Sequence, residues 1–275
     1  MGFNFIVADQ GIILANSHRG YSSRYPENTM PAFEAALAAG THTVELDVHM
    51  TKDEKLVVHH DFTIDRVSTG SGYIEQMTLA ELQQYDYGVK FGTEFAGTKL
   101  PELREVLLWA VANNVGLVLE VKQKQHHQRC AEVLAALLLE TEALDNVLLL
   151  AFDHVLINRV KTIVPQVKLQ VVTLARYNKQ LEAVLASNAD SVCVEYHYIH
   201  RDDLIAYKKA GLSVRLYLHE SPPEMEITQV YNQKYGFDVE SEIIGWLREG
   251  LIDMLSHDDI PYLCKLIEKA GKNYY

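Results

Sequence analysis

Cysteine is scarce in this chain of 275 residues. Only Cys130, Cys193 and Cys264 occur, and none forms a CxxC pair. That excludes a disulfide scaffold and is the usage expected of reduced, mostly buried thiols in a cytoplasmic protein. Long apolar runs are also missing. No stretch approaches the roughly 20 residues of a membrane-crossing helix, which excludes integral membrane association. The segment Met1 to Asn16 lacks a cationic start, and Asp9 interrupts its apolar residues, so no secretory signal is expected. Basic charge is in deficit, with 25 Lys+Arg against 37 Asp+Glu and a formal net charge of −12. Nucleic-acid binding needs a basic footprint and is excluded. An anionic small-molecule substrate is not, because a metal ion or an arginine can invert the sign of a local pocket. Finally, no GxGxxG turn follows the first apolar run, which counts against an open dinucleotide-binding sheet.

What the chain does have is a repeat of short apolar runs, each followed by an amphipathic stretch. Strands are expected at Ile12–Ser17, Thr43–His49, Gly116–Lys122, Val147–Ala151, Lys168–Leu174, Ser191–Glu195, Ser213–Leu218 and Ile252–Leu255. Helical patterns lie between them, among them Thr29–Ala39, Leu103–Asn113, Arg129–Glu140 and Tyr262–Ala270. Strand then helix, eight times over, predicts parallel crossovers closed into an α/β (β/α)₈ TIM barrel. An open doubly wound sheet is the structural alternative. With 48% apolar residues and about the length of one such barrel, residues 1–275 are expected to form a single domain. Two segments exceed the plain repeat: an insertion at about 62–100, after strand two, and the excursion His219–Glu240, which contains Pro222-Pro223. Both should cap the catalytic face.

The strongest chemical signal is Glu45-Leu46-Asp47. Residues two apart in a strand share a face. Glu45 and Asp47 therefore project inward, while Val44, Leu46 and Val48 face the helices. The strand Gly116–Lys122 repeats the design, with Val118, Glu120 and Lys122 inward. Three inward carboxylates and an ammonium are costly to bury unless paired or bound to a cation. An all-oxygen set suits Ca²⁺, Mg²⁺ or Mn²⁺ rather than zinc. A plain internal Glu–Lys pair is the competing reading, but ordinary inward positions of a barrel prefer Val, Ile and Leu.

A second signal, His18-Arg19-Gly20, directly follows the first strand. A histidine there is a natural general acid or base, and Arg19 offers a donor fork matched to phosphate. The third is His59-His60-Asp61. Neighbours in an extended segment face opposite ways, so only one of these two histidines can share a pocket with His18. Spacing alone does not choose between them.

These residues, read with Pro26-Glu27-Asn28-Thr29, Thr51-Lys52-Asp53, Asp65-Arg66 and Pro101-Glu102-Leu103, closely resemble the glycerophosphodiester phosphodiesterase family. The match is dense over roughly the first 125 residues and rests on the barrel pattern thereafter. The resemblance implies a TIM barrel with a small insertion after its second strand. It implies catalytic His18 and His60, leaving His59 to packing or solvent. It also implies a divalent cation, Ca²⁺ or Mg²⁺, on Glu45, Asp47 and Glu120, and phosphate contacts from Arg19 and Lys122. Glu27 and Asn28 belong to the outer site, with Glu195 a further candidate there. The implied reaction is hydrolysis of a glycerophosphodiester to sn-glycerol 3-phosphate and an alcohol. A lysophospholipase D-type activity and a non-catalytic metal- and phosphodiester-binding barrel are the alternatives. Toward the C-terminus the likeness weakens. Leu216-Tyr217-Leu218-His219 stands where the family usually has Trp-Thr-Val-Asn, and Ser256-His257-Asp258 where it has Thr-Asp. His126-His127 is expected in a solvated loop or helix start, His42 at the barrel bottom and His49 at the site's periphery.

Overall fold

The computed structural model describes residues 3–222 and 224–275. Its strands are β1 (Ile12–His18), β2 (Thr43–Met50), β3 (Leu56–Val58), β4 (Gly116–Val121) and β5 (Val147–Ala151), then β6 (Lys168–Thr173), β7 (Ser191–Glu195), β8 (Ser213–Tyr217), β9 (Met254–His257) and β10 (Asn273–Tyr274). All but β3 and β10 are barrel staves, paired parallel in the order β1-β2-β4-β5-β6-β7-β8-β9. β1 bonds to both β2 and β9, which closes the ring and overturns the open-sheet alternative. The helices are α1 (Met30–Ala38), α2 (Leu79–Leu82), α3 (Leu103–Asn113), α4 (His127–Glu140), α5 (His154–Ile163), α6 (Gln180–Ala186), α7 (Arg201–Lys209), α8 (Ile227–Tyr235), α9 (Val239–Arg248) and α10 (Ile260–Lys269).

Strand alternation builds two separate apolar regions. Outward residues such as Val44, Leu46, Leu117, Leu119 and Val192 join the buried stripes of the helices in one continuous layer. Inward residues Leu14, Val118, Leu148 and Met254 meet Phe3 and Phe5, so the N-terminal segment plugs the barrel bottom. Gly116 is required there: a Cβ would lie 2.5 Å from the Phe3 ring. The bottom is thus packed, with Gln170, Ser191 and Ser213 hydrogen-bonded among its apolar residues, and the inward carboxylates stand at the opposite end. That is the end where barrel enzymes carry their sites.

The segment after β3 carries a small core of its own. Val57, Ile64, Ile74, Leu82, Tyr87 and Leu100 are buried together. β3 pairs antiparallel with the top of β2, fixing this segment over the barrel mouth. The His219–Glu240 excursion is not an open loop, because it contains α8. The pattern Ile227-Thr228-Gln229-Val230-Tyr231 buries only Ile227, Thr228 and Tyr231, too sparse a stripe to read from sequence. Pro223 lies outside the described residues.

The last barrel strand begins later than the apolar run Ile252–Leu255 suggests. Asp253 explains the offset. Its buried carboxylate accepts from Lys208 Nζ at 2.7 and 2.9 Å and from the backbone N–H groups of Val214 (2.9 Å) and Ala8 (3.3 Å). One side chain thereby ties α7, β8 and the N-terminal segment together. Leaving the Lys208 ammonium unpaired should cost about 3–5 kcal/mol, a large part of a domain's total stability. Asp253→Ala is therefore expected to lower the urea midpoint sharply without changing the slope. A loss below about 1 kcal/mol, the range of an exposed pair, would contradict this role.

Candidate active site

The turn after β1 sets the first half of the site. Arg19 adopts φ 56° and Gly20 φ 82°. A left-handed arginine is uncommon, and here Glu45 stabilises it by accepting the Arg19 backbone N–H at 3.1 Å. At Gly20 a Cβ would come within 2.8 Å of the Ala32 Cβ, so the turn needs glycine in this His-Arg-Gly order. The same turn brings His18 and Ser22 to Asp258. His18 Nδ1–H donates to Asp258 Oδ1 at 2.6 Å, which leaves Nε2 3.7 Å from Glu45 Oε2. Ser22 Oγ holds Asp258 from the other side at 3.0 Å. Burial opposes charging of the imidazole, but Glu45 and Asp258 outweigh it and hold His18 above its ordinary pKa.

Glu45, Asp47 and Glu120 meet at the tops of β2 and β4, where Asp47 and Glu120 are direct cross-strand partners. Each carboxylate offers one oxygen, and these oxygens lie within 4.8 Å of one another. That is the span of oxygens around one hard cation at bond lengths of about 2.0–2.6 Å. Asn28 grips Asp47 twice, donating to Oδ2 at 2.9 Å and accepting the Asp47 backbone N–H at 3.2 Å. Arg19 Nε stands 3.4 Å from Oδ2, and Lys122 Nζ 3.4 Å from Oδ1. Even so, the buried Asp47 Oδ1 accepts no hydrogen bond. Lys122 Nζ donates instead to Glu120 Oε1 at 2.7 Å. Burial resists ionisation of Asp47, yet Lys122 and Arg19 prevail and hold it below the usual range. Glu120 goes the other way, raised by burial and by the charge of Asp47. The cations present do not saturate the carboxylates. An orphaned buried oxygen within an all-oxygen donor set fits a divalent cation such as Ca²⁺ or Mg²⁺.

The second half of the site comes from the loop after β3. His60 Nδ1–H donates to Asp61 Oδ1 at 2.7 Å. Arg66 Nε donates to Asp61 Oδ2 at 2.7 Å, and both Arg66 Nη groups fork onto Glu27 at 2.7–2.8 Å. Glu27 also accepts from Arg19 Nη1 at 3.1 Å, so one carboxylate links the two histidine loops. His59 turns away. Its ring is 2% exposed, sits edge-on to Tyr87 and donates through Nδ1 to the Asp61 carbonyl at 3.0 Å. His59 is therefore in packing, while His60 lines the pocket. His49 lies beneath the loop, where its Nε2–H donates to the His60 carbonyl at 3.1 Å. Burial pushes the His49 pKa down to about 4, so the ring is neutral and serves as a strut.

Two clefts flank the carboxylates. The one on the His18 side, about 590 Å³, is lined by His18, Arg19, Glu27, Tyr217 and Asp258. The other, about 330 Å³, is lined by His60, Glu120, Lys122, Phe62 and Phe152. Glu195 does not join the cluster. It ends β7 and accepts from His219 Nε2 at 3.0 Å. His126 is the left-handed residue before α4 and His127 its first residue, so that pair starts a helix. Asp258 and Asp61 are the groups sequence reasoning missed. Asp61 directly follows His60, a spacing that was open to reading. Asp258 lies 240 residues from His18, and only closure of the ring brings them together.

The glycerophosphoryl diester phosphodiesterase family profile matches residues 18–260. A glycerophosphodiester phosphodiesterase of Caldanaerobacter subterraneus subsp. tengcongensis is 31% identical over 214 residues, 78% of this chain and 88% of its own. Among solved structures, an Oleispira antarctica phosphodiesterase in complex with the product sn-glycerol-3-phosphate superposes with a TM-score of 0.80 at 22% identity, covering 95% of this chain and 99% of its own. A glycerophosphodiester phosphodiesterase from Agrobacterium tumefaciens str. C58 gives a TM-score of 0.72 at 23% identity, covering 92% and 100%. These two likenesses are of fold. Among the described residues, no helix is long and apolar enough to cross a membrane.

The carboxylate cluster makes a direct prediction. Calorimetric titration of the apoprotein with Ca²⁺ or Mg²⁺ should show one site per chain. Glu120→Gln should weaken it by more than the roughly 10–100-fold typical of outer-shell changes. Equal affinity in the variant would remove Glu120 from the ligand set.

Proposed function

Because the chain belongs to the glycerophosphoryl diester phosphodiesterase family, a class of enzymes, we propose that it hydrolyses glycerophosphodiesters to sn-glycerol 3-phosphate and an alcohol, residues 1–275 acting as one catalytic domain. One observation carries this reading. Two imidazoles, each oriented by a carboxylate on Nδ1, flank a buried cluster of three carboxylates. Glu45, Asp47 and Glu120 would hold a divalent cation, which would supply Lewis-acid charge to the phosphoryl group.

The remaining steps belong to the chain's own residues. Arg19 and Lys122 present donors beside the cluster and bind the non-bridging phosphate oxygens. Asp258 and Asp61 fix the Nδ1–H tautomers, leaving Nε2 of each histidine for proton transfer. One imidazole takes the proton of the attacking oxygen and the other gives a proton to the alkoxide that departs as its P–O bond breaks; water, attacking directly or opening a cyclic phosphate formed by the substrate's own 2-hydroxyl, supplies the oxygen that completes sn-glycerol 3-phosphate. Glu27 keeps Arg19 and the His60 loop in register, and Asn28 holds Asp47. These are outer-site duties. Glu195 is assigned none in the chemistry. The non-catalytic barrel is the weaker reading, since both histidines, their two aspartates and all three carboxylates are retained.

Release of sn-glycerol 3-phosphate from a panel of glycerophosphodiesters, with chelator and with each cation restored, tests the reading. Turnover should vanish with chelator and return with Ca²⁺ or Mg²⁺. Full activity under exhaustive chelation would contradict it.

The histidines give a sharper test. His18→Ala and His60→Ala should each lower turnover by about 10²–10⁴-fold, the range of positioned proton transfer. His59→Asn keeps a donor where Nδ1 stood and should leave turnover nearly intact. A p-nitrophenyl ester needs little help with its leaving group. Loss of the general acid should therefore hurt it much less than an alkyl diester, while loss of the base should hurt both. Equal responses of the two alanine variants to leaving group would rule out separate acid and base roles.

A further inference from the structure

Arg215 projects from the middle of β8 into the barrel, between the apolar plug and the carboxylates. It is 2% exposed. Its cross-strand neighbours are Cys193 on β7 and Met254 on β9, neither of which bears a charge that could answer it. Nη2 donates to Ser256 Oγ at 2.8 Å, and Ser256 Oγ donates onward to Asn16 Oδ1 at 2.8 Å. Nε is buried without a partner. No carboxylate among the described residues pairs with this guanidinium. The other inward basic groups nearby are all paired: Arg19 with Glu27 and Asp47, Lys122 with Glu120 and Asp47.

A guanidinium does not shed its proton in a protein. A buried charge without a partner is costly unless opposite charge lies near. Opposite charge lies one layer up, on Glu45 and on Glu195, the register partner of Tyr217. Asn16 and Ser256, the residues around the guanidinium, stand two residues below His18 and Asp258 on the same inward faces. Two residues of strand span about 6.6 Å. His18 is the register partner of Glu45. Tyr217, two residues above Arg215, packs against the His18 ring at 4.9 Å. Its hydroxyl feels Asp258, Arg19 and Glu45 as well as Arg215, and the Cys193 thiol feels Arg215, Glu120, Glu195 and Glu45 together. Arg215 and the carboxylate cluster thus share one low-dielectric interior without touching.

We propose that Arg215 is a positioning residue that sets the charge balance of the site, weakening the carboxylates' hold on a divalent cation and strengthening the site's hold on the phosphate. It acts through the field, from beneath. The idea rests on the cation-assisted phosphodiesterase reading above. A residue that merely filled the barrel would affect both ligands in the same direction. A fixed positive charge must affect them in opposite directions.

Isothermal titration of the full chain with Ca²⁺ alone, then with sn-glycerol 3-phosphate at saturating Ca²⁺, separates these cases. Arg215→Met and Arg215→Gln remove the charge at similar volume. Both should bind Ca²⁺ about tenfold more tightly and sn-glycerol 3-phosphate about tenfold more weakly, 1.4 kcal/mol each way. Arg215→Lys should restore the wild-type pattern. Affinities that fall together, or that do not move, would overturn the proposal. So would neutral variants that fail to fold while Arg215→Lys folds, because the charge would then serve the barrel rather than the site. Undiminished Ca²⁺ binding by Glu45→Gln is a different failure, since it would sink the cation site on which the inference rests.

Discussion

Three carboxylates are held out of water at the tops of two adjacent strands, and the rest of the site is arranged around that cost. Glu45 and Asp47 are almost fully buried, and Glu120 is 8% exposed. Ionised carboxylates in such a place need counter-charge or hydrogen-bond donors. Arg19, Lys122, Asn28 and a strained backbone N–H supply part of what is needed. The shortfall is localised at Asp47 Oδ1, and it is what leaves the cluster able to take a cation rather than closed into ion pairs. The opposed shifts of Asp47 and Glu120 express the same tension between like charges.

The barrel makes this arrangement sustainable. Its bottom is filled by Phe3 and Phe5, and the outward faces of its strands are mostly apolar. Tethers such as Asp253–Lys208 lie far from the chemistry. The loops above can then be specialised. Glu27 ties the His18 turn to the His60 loop through Arg19 and Arg66, so the two imidazoles are positioned by one shared carboxylate. Each imidazole has its own aspartate as well. Both imidazoles are therefore held through Nδ1, while clefts lie beside them.

Much of this was legible in the sequence because period-two alternation is a strong constraint. Strands Val147–Ala151 and Ser191–Glu195 and helix Leu103–Asn113 fall where the apolar pattern puts them. Glu45, Asp47 and Glu120 share an interior because residues two apart share a face. What was not legible depends on closure or on sparse burial. The partnership of Asp258 with His18 exists only because β9 returns beside β1. Helix α8 buries too few apolar residues to announce itself. The choice between His59 and His60 needed the family resemblance, since alternation says that they differ but not which faces the pocket. Arg215 looked like an ordinary strand residue until its burial without an ion pair was visible.

The central claim is that Glu45, Asp47 and Glu120 together hold the cation that the reaction requires. Anomalous diffraction from crystals soaked in Mn²⁺, a scatterer that shares their oxygen preference, tests it most directly. The account predicts one strong peak among the three carboxylates, within about 2.0–2.6 Å of an oxygen from each. A peak coordinated by other side chains, or none at saturating Mn²⁺, would contradict it.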